Sequence, residues 1–415
     1  ACWVKRTELG GNQRIFQASN SNNDDFLRFN NDNTLGYWIY QNGSHNHQGN
    51  TTAVFRDVSA WMHVCYVVDT AQATAANRVK IFVNGVSHTL SVYPDQNRDC
   101  SVMNTAALHY IGRYGNSASE YANLYIADAY FLDGEAVEPV GNFIESNDYG
   151  GYKPKAYTGS FGTNGFHLKL DDSSDIGADD AGSNDFTANN LSSHDVMLDV
   201  PTKNYCTLSP FGSIEELNSS YGDLHNANLT IQAKSFAYYQ HVGALGTFGL
   251  TSGKWYFEVM RKNVSGVKQS GVGLSGEYKS SDTTSAPAYM FRYYSSGRLC
   301  DGSTTTELGA GIGTANYSIY AVAVDVDAGK IWFSEDGSWI DDTSGNTGDP
   351  ANGSNPTITY NTTTYPTVYP IAQGTSFANT VDQIANFGQD PTFAGEASNR
   401  SDSQDTSQSE FYFAP

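Results

Sequence analysis

The sequence predicts an all-β protein made of two antiparallel β-sandwich domains joined by a Gly/Asp-rich connector. Its 415 residues are enough for two hydrophobic cores. They include 40 Gly, 27 Tyr and 21 Phe but only 12 Pro, which is typical of short strands joined by many turns. A pattern of two apolar runs that ends in Asn-Gly or Asp-Gly occurs twice, at 61–85 and at 317–337. Such dipeptides favour the type I′ turn of a β-hairpin, so we expect one central hairpin in each domain.

Charge, hydrophobicity and cysteine usage limit the possible partners and environment. The formal net charge of −21 argues against nucleic acid, because a phosphate-binding surface needs clustered Lys and Arg. No stretch approaches the roughly 20 apolar residues of a membrane span, so we expect no membrane insertion. The 5 cysteines are scattered and odd in number, which predicts free thiols and assembly in a reducing cytoplasm.

The first domain is expected at residues 1–140. Its first strands are predicted by short apolar segments between Gly, Asn and Asp turns, at Cys2–Val4, Arg14–Phe16, Phe26–Phe29, Leu35–Tyr40 and Thr51–Phe55. The run from Trp61 to Val68 is apolar on both faces. It therefore predicts a strand in the middle of a sheet that other layers cover on both sides.

Five motifs follow one another in this domain. They are Trp3-Val4-Lys5-Arg6, Trp61-x-His63-Val64, Val83-Asn84-Gly85, Ile111-Gly112-Arg113, and Ile126-Ala127-Asp128 with Phe131-Leu132-Asp133-Gly134. In this order they resemble the laminin-G-like members of the concanavalin A-like lectin/glucanase superfamily. The resemblance implies a two-sheet jelly roll. Because that family has a strand before the first motif, we expect this chain to be trimmed at its start.

The connector is expected at residues 141–205, where the apolar periodicity fades. One strand-like segment, Gly165–Leu170, is expected to complete the first sandwich. It is followed by a group of acidic residues, Asp171, Asp172, Asp175, Asp179 and Asp180. They predict a calcium site, since Ca²⁺ takes carboxylate and carbonyl oxygens from a flexible loop. The alternative is a series of solvent-exposed Asx turns, because the spacing matches no EF-hand.

The second domain is expected at residues 206–395 and carries its own motifs. They are Gly253-Lys254-Trp255-Tyr256-Phe257-Glu258-Val259, Val272-Gly273-Leu274, and the stretch from Ala323 to Gly337. In this order they resemble a SPRY domain, which implies a bent β-sandwich that binds through surface loops. Residues 396–415 form a polar C-terminal segment that we expect to continue in a longer protein.

Catalytic carboxylates do not emerge from the sequence. A retaining glycosidase needs two carboxylates about 5 Å apart, and on a jelly roll these come from one face of one strand, as in Glu-x-Asp-x-x-Glu. That triplet does not occur. The pairs Glu135 with Glu138 and Glu335 with Asp336 are interpreted as solvated turn residues. We therefore predict that the chain is not an enzyme.

Aromatic residues carry the remaining functional signal. A sugar ring presents a flat apolar face on which Trp or Tyr can stack beside hydrogen-bonding side chains. Loop residues are the candidates for such a ligand-binding surface, namely Tyr114, Tyr121, Tyr293, Tyr294, Arg298 and Trp339. Four other tryptophans are expected in the cores, Trp3, Trp61, Trp255 and Trp332. Tyr37 and Trp38 alternate along one strand, so at least one of them points inward.

The whole arrangement is similar to that of structural and adhesion proteins of tailed bacteriophages. The resemblance implies a virion protein that is assembled in the host cytoplasm and acts at the virion surface, as in a tail fibre. Its expected partners are a host surface glycan or protein, other virion proteins and further copies of itself in a homo-oligomer. Two alternatives stay open: a head or tail decoration protein that contacts only virion proteins, and a glycan hydrolase on the lectin/glucanase-like jelly roll.

Overall fold

The computed structural model describes residues 1–20, 23–41, 45–100, 102–115, 117, 119–214, 222–234, 240–262, 270–277, 290–294, 298–301, 305–307, 316–342, 344–376, 381–399 and 410–413. The chain divides into two compact units. The first comprises Ala1–Val196 and Val200–Asn204, and the second comprises Met197–Asp199 and Tyr205–Pro415. Strands form nearly all of the regular structure, which confirms the predicted all-β class. Within the described part of the chain, no helix has the length and apolar character that crossing a bilayer requires.

The first unit is built from antiparallel strands. They are β1 Cys2–Arg6, β2 Gln13–Ser19, β3 Asn23–Phe29, β4 Thr34–Gln41, β5 His45–Val54, β6 Met62–Val68, β7 Val79–Val83, β8 Val86–His88, β9 Leu108–Ile111, β10 Leu124–Ala127, β11 Ala129–Phe131, β12 Ile144–Ser146, β13 Tyr152–Pro154 and β14 Phe166–Leu168. The inner sheet has the order β10-β1-β6-β7-β8, and the outer sheet has the order β5-β4-β3-β2-β9. Short 3₁₀ helices lie at Ala75–Asn77 and Ser193–Asp195.

The main core of the first unit lies between the inner and outer sheets. Strand β6 contributes Met62 and Val64 to this core, whereas Cys65 lies in a second apolar cluster with Trp3 and Phe143. Successive strand residues point to opposite faces, so β6 buries side chains on both sides of the inner sheet. This confirms the prediction drawn from the apolar run at 61–68.

The two short strand pairs lie outside the five-stranded sheets. Strand β11 pairs with β14, and β12 pairs with β13. Phe166 and Leu168 of β14 are buried in the main core of the first unit. The segment that follows residue 140 therefore belongs to the first unit as far as Val196.

The predicted hairpin of the first unit is present. Strands β6 and β7 pair antiparallel, with Val64 opposite Val83. Asn84 and Gly85 then link β7 to β8 with φ angles of 47° and 75°. A type I′ turn needs positive φ at both central residues, which explains the Asn-Gly dipeptide at this position.

The second unit has the same all-β character. Its strands are β15 Leu208–Ile214, β16 Gly222–His225, β17 Thr230–Ala233, β18 Gln240–Gly246, β19 Lys254–Lys262, β20 Ser270–Ser275, β21 Met290–Tyr294, β22 Arg298–Asp301, β23 Thr305–Glu307, β24 Ile319–Asp325, β25 Lys330–Glu335, β26 Ser338–Trp339, β27 Ile358–Thr359, β28 Tyr369–Ser376 and β29 Val381–Asn386. A 3₁₀ helix lies at Glu396–Asn399. One sheet has the order β15-β18-β28-β20-β21-β22-β23, and the other β16-β17-β29-β19-β24-β25-β26, with β27 paired to β25.

The core of the second unit draws side chains from both of its sheets. Val272 comes from one sheet, and Phe257 and Phe333 come from the other. The predicted hairpin is again central, since β24 pairs with β25 over most of its length. Asp336 and Gly337, with φ angles of 47° and 77°, lead into β26.

Two of the four tryptophans predicted for the cores are fully buried. Trp3 is 4% exposed and Trp332 is 2% exposed, whereas Trp61 is half-buried. The prediction was wrong for Trp255, which is 45% exposed. Trp255 stands at the exposed start of β19, where its indole N–H donates to the carbonyl oxygen of Ser252 at 2.8 Å.

Candidate ligand-binding site

The outer sheet of the first unit carries aromatic and charged side chains on the side away from the main core. Three of these side chains, Arg28, Trp38 and Tyr40, are half-buried, whereas Arg14, Gln17 and Phe26 are buried by their neighbours. Leu27, Tyr37 and Ile39 point into that core. Because side chains alternate along a strand, their neighbours point outward. These neighbours, with Arg14 and Gln17 of β2, define the outer face: Arg14, Gln17, Phe26, Arg28, Trp38 and Tyr40.

A β-bulge explains how β2 contributes to this face. The register of β2 against β3 shifts between Arg14 and Phe16. Ile15 and Phe16 both pack toward the main core as a result. Arg14 then lies opposite Arg28, and Gln17 lies opposite Phe26. An extra residue in one strand thus re-aims the side chains beside it.

An ion-pair network fixes the charged side chains of the outer face. The Arg14 Nε atom lies 2.6 Å from Glu120 Oε2, and Arg14 Nη1 lies 3.0 Å from Asp24 Oδ2. Arg28 Nη1 lies 2.9 Å from Glu120 Oε1. Gln17 donates a further hydrogen bond to Asp24. Each carboxylate is therefore held in place by at least one arginine.

The pKa values of the two acids reflect this environment. Burial raises the pKa of Asp24, and the attraction of Arg14 offsets this only in part. Burial also acts to raise the pKa of Glu120, but hydrogen bonds and charge attraction from Arg14 and Arg28 outweigh it. The pKa of Glu120 is consequently below its usual value, so this carboxylate is ionised at neutral pH.

Guanidinium groups and aromatic rings are layered on the outer face. The Arg14 guanidinium lies 3.7 Å from the centre of the Phe26 ring and 4.2 Å from that of Tyr114. The Phe26 and Trp38 rings are 5.5 Å apart, and the Trp38 and Tyr40 rings are 6.2 Å apart. Cation–π and ring contacts of this kind hold flat surfaces in a fixed orientation. The result is an aromatic strip with charged hydrogen-bonding groups beside it.

Gly36 leaves room for side-chain amides beside the strip. The Asn30 Nδ2 atom donates to Asn50 Oδ1 at 3.1 Å directly over this glycine. A Cβ atom on Gly36 would lie 2.6 Å from both of these atoms. Any larger residue would therefore displace the two amides.

The structure places the predicted ligand residues of the first unit near this face. Tyr114 contacts Arg14 through its ring, and Tyr121, which is 50% exposed, follows Glu120 in the chain. Tyr37 is 1% exposed and Trp38 points outward, so one ring of this pair faces inward as expected. Sequence reasoning missed Arg14, Gln17, Phe26 and Arg28 of the outer face, and Glu120 beside it. Their pairing depends on strand register and on the bulge, which residue spacing alone does not reveal.

The predicted ligand residues of the second unit do not form a comparable face in the described residues. Tyr293 and Tyr294 lie on β21 and Arg298 begins β22, but their side chains fall outside what the structure describes. Trp339 is half-buried and meets the Tyr256 ring edge to face at 6.5 Å. It is therefore part of a packed aromatic group.

In the acidic loop predicted to bind calcium, several carboxylates accept hydrogen bonds or form ion pairs with nearby residues. Asp179 is 7% exposed and accepts the backbone N–H groups of His167, Ala181 and Asn184 at 2.9–3.0 Å. Burial acts to raise the pKa of Asp179, but these hydrogen bonds lower it below its usual value.

Its neighbours also have local partners. Asp180 lies 3.0 Å from the Lys169 ammonium group. Asp172 accepts from the backbone and hydroxyl of Ser174, as in an Asx turn. Asp171 and Asp175 are exposed. Over the described residues, no three His, Cys, Asp or Glu side chains are grouped so as to hold a metal. Calcium binding at this loop stays a prediction.

The interpretation of Glu335 as a solvated turn residue was wrong. Its side chain is 7% exposed, and among the described residues its Oε2 atom has no hydrogen-bond partner. Burial raises the pKa of Glu335 to about 7, an effect that Asp336 reinforces and that Tyr320 and Arg261 oppose. The residue before the turn belongs to β25 and turns inward, whereas Asp336 itself is exposed.

Replacing Glu335 with Gln is expected to stabilise the second unit at pH 8. The pKa of Glu335 is higher in the folded chain, about 7, than its ordinary value of 4.5. The protonated carboxyl therefore contributes its full stability below pH 4.5, and this contribution is lost as the pH rises from 4.5 through 7. Gln does not ionise, so the variant should gain about 3 kcal/mol at pH 8 and little at pH 4.5. Urea denaturation at both pH values measures this difference. An equal change in stability at both values would show that ionisation of Glu335 does not matter.

Comparison with known proteins gives one family match and a likeness to solved structures. A family model described as the concanavalin A-like lectin/glucanases superfamily, Laminin_G_3, matches residues 1–136. The matched segment contains every strand of the inner and outer sheets. Among solved structures, the SPRY domain of human HERC1 is similar with 17% sequence identity and a TM-score of 0.31, over 43% of this chain and 96% of that chain. No curated protein matches the sequence.

Proposed function

We propose that this chain is a non-enzymatic binding protein and that the outer face of its first unit binds a glycan. The observation that carries the proposal is the pair of half-buried rings of Trp38 and Tyr40, which the buried Phe26 ring supports and beside which lies the half-buried Arg28. A pyranose ring stacks its apolar face on such rings while charged and amide groups bond its hydroxyls. The superfamily description, which names lectins and glucanases, supports glycan binding by this unit.

The charged groups of the outer face are suited to binding. Asp24 and Glu120 are both held by Arg14, so their side chains keep a fixed orientation. A rigid set of donors and acceptors loses little conformational entropy when a ligand binds. The proposal includes the setting that the domain arrangement suggests: a homo-oligomeric protein on the surface of a tailed-phage particle, such as a fibre, that binds host glycans and contacts other virion proteins.

Replacing Trp38 with Ala is expected to weaken glycan binding about tenfold or more, because the variant removes the central ring of the strip. The full-length chain is first screened on a glycan array, and the oligosaccharide with the highest signal is then titrated by calorimetry. The matched control is Trp255→Ala, which removes an exposed tryptophan of the second unit. Circular dichroism and thermal melting check that both variants fold.

Three outcomes would contradict the proposal. Equal affinity of the wild type and the Trp38→Ala variant would exclude the outer face. Loss of binding in the Trp255→Ala variant alone would move the site to the second unit. An array without any bound glycan would favour a protein that contacts only other virion proteins.

Repeating the titration with calcium and with a chelator tests the acidic loop in the same experiment.

A further inference from the structure

A chain of hydrogen bonds with a fixed direction crosses the outer face beside Trp38. Arg28 Nε donates to Asn30 Oδ1 at 2.8 Å, and Asn30 Nδ2 donates to Asn50 Oδ1 at 3.1 Å. The chain passes over Gly36 of β4, which is paired with Arg28 of β3 on one side and with Asn50 of β5 on the other. Trp38 lies two residues further along β4, so its side chain is on the same face.

Arg28 sets the direction of this chain. A guanidinium group can only donate hydrogen bonds, so the side-chain atom of Asn30 that faces it must be the oxygen. The amide nitrogen of Asn30 then faces Asn50, and the atom of Asn50 that accepts its hydrogen bond must again be the oxygen. The chain therefore ends on the Asn50 Nδ2 group, which is a donor.

Two donors of this network have no hydrogen-bond partner among the described residues. Arg28 Nη1 donates to Glu120 and Nε to Asn30, which leaves Nη2 on a side chain that is 16% exposed. Asn50 is exposed, and its side chain bonds only through Oδ1. The oxygen atoms of Glu120, Asn30 and Asn50 each accept at least one hydrogen bond. The unused hydrogen-bonding capacity thus includes two donors, which favours a ligand group that only accepts.

The charges of the network do not oppose an anionic ligand group. Arg14 and Arg28 carry two positive charges, and Asp24 and Glu120 carry two negative charges when both are ionised. The four charges sum to zero, although the chain as a whole has a formal charge of −21. A hydrogen bond between a guanidinium group and an ionised oxygen is about twice as strong as one between neutral groups.

We propose that the glycan bound at the outer face is acidic. Its pyranose ring would stack on Trp38, and its carboxylate or sulfate oxygens would accept from Arg28 Nη2 and Asn50 Nδ2. The guanidinium group and the indole are neighbours, since they lie 5.0 Å and 5.5 Å from the centre of the same Phe26 ring. This inference rests on the proposed glycan binding and adds the charge class of the sugar.

The test compares glycans that differ only in charge. The full-length chain is screened on an array of neutral, uronic-acid-containing and sulfated oligosaccharides, and we expect the strongest signals from acidic ones. The best acidic ligand is then titrated by calorimetry at pH 7, and its affinity should exceed that of its methyl ester or desulfated form about tenfold or more. Stronger binding of neutral glycans, or equal affinity of the two forms, would overturn the inference but leave glycan binding in place. An array without any bound glycan would overturn both.

Three variants that each lower the net charge by one locate the anionic group. Asn50→Asp keeps an acceptor for Asn30 but turns the outward donor into a negative oxygen, with almost no change of shape. It should weaken binding of the acidic ligand about tenfold or more, and binding of the uncharged form much less. Arg28→Gln should have a similar effect, whereas Arg56→Gln, at an exposed position after β5, should keep the wild-type affinity. Thermal melting checks that all three variants fold. Unchanged binding by the Asn50→Asp variant, or an equal loss in the Arg56→Gln variant, would overturn the proposal.

Discussion

Replacing Glu258 with Ala is expected to lower the free energy of unfolding of the second unit by about 3–5 kcal/mol. Glu258 is fully buried on β19. Its carboxylate accepts hydrogen bonds from the Tyr256 hydroxyl at 3.1 Å and from Asn386 Nδ2 at 3.2 Å. It also accepts the backbone N–H groups of Tyr412 and Phe413, at 2.9 Å and 2.8 Å. Alanine would remove the acceptor of four donors, two of which belong to the buried residues Asn386 and Tyr412.

The same side chain holds residues 410–413 against the rest of the second unit. Tyr412 is 3% exposed and packs in an apolar cluster with Met260 and Phe393. Asn386, itself bonded to Glu258, donates to the Glu410 carbonyl oxygen at 2.9 Å. Loss of the carboxylate should therefore release this segment as well as weaken the sheet.

Two measurements check the expectation for Glu258. Urea denaturation gives the change in stability, and hydrogen exchange should show faster exchange of the Tyr412 and Phe413 amides in the alanine variant. Glu258→Gln is the matched control: its amide oxygen keeps one pair of donors, but its NH2 group would face the other pair, so it should lose part of the stability that alanine loses. A loss below 1 kcal/mol for Glu258→Ala, or unchanged exchange of the Tyr412 and Phe413 amides, would show that these hydrogen bonds do not anchor the segment.

The fold class was predictable because the patterns that indicate it lie in short stretches of the sequence. An apolar run on both faces of 61–68 required a covered sheet, and Asn84-Gly85 required a tight turn; both features depend on residues within about 25 positions of each other. The exposure of Trp255 was not predictable in this way, because the position of an aromatic residue along a strand does not show where the neighbouring layer ends. Periodicity predicts which face of a strand is buried, but not how many residues along the strand the neighbouring layer covers.

The polar sites were the harder part because their partners are distant in sequence. Glu258 accepts a hydrogen bond from Tyr412, which is 154 positions away in the sequence. Arg14 donates to Glu120, which is 106 positions away. Glu335 was assigned to solvent because it adjoins a turn, yet its side chain points inward from the last position of β25. Only the strand register and the long-range contacts decide these cases. Tyr114, which packs against Arg14, was a candidate from the sequence because it is an aromatic residue in a loop.

Lowering the pH below 6.5 is expected to destabilise the first unit through His63. This side chain is 1% exposed and packs between Trp3 and Phe143, with ring centres 5.3 Å and 6.3 Å away. Burial lowers the pKa of His63 to about 3. Between pH 6.5 and 3 the unfolded chain binds the proton and the folded chain does not, so stability falls as the pH falls. The loss is about 1.4 kcal/mol per pH unit and about 4–5 kcal/mol in total.

His63→Phe separates this effect from the titration of carboxylates. Phenylalanine keeps an aromatic ring in the apolar cluster but cannot bind a proton, so the variant should lose less stability than the wild type between pH 6.5 and 4. The control His194→Gln changes an exposed histidine of the same unit and should keep the wild-type pH dependence. Urea denaturation at half-unit pH steps measures all three proteins. Parallel curves for the wild type and the phenylalanine variant would mean that His63 does not carry the acid sensitivity, and the buried ring would then have to be protonated without unfolding.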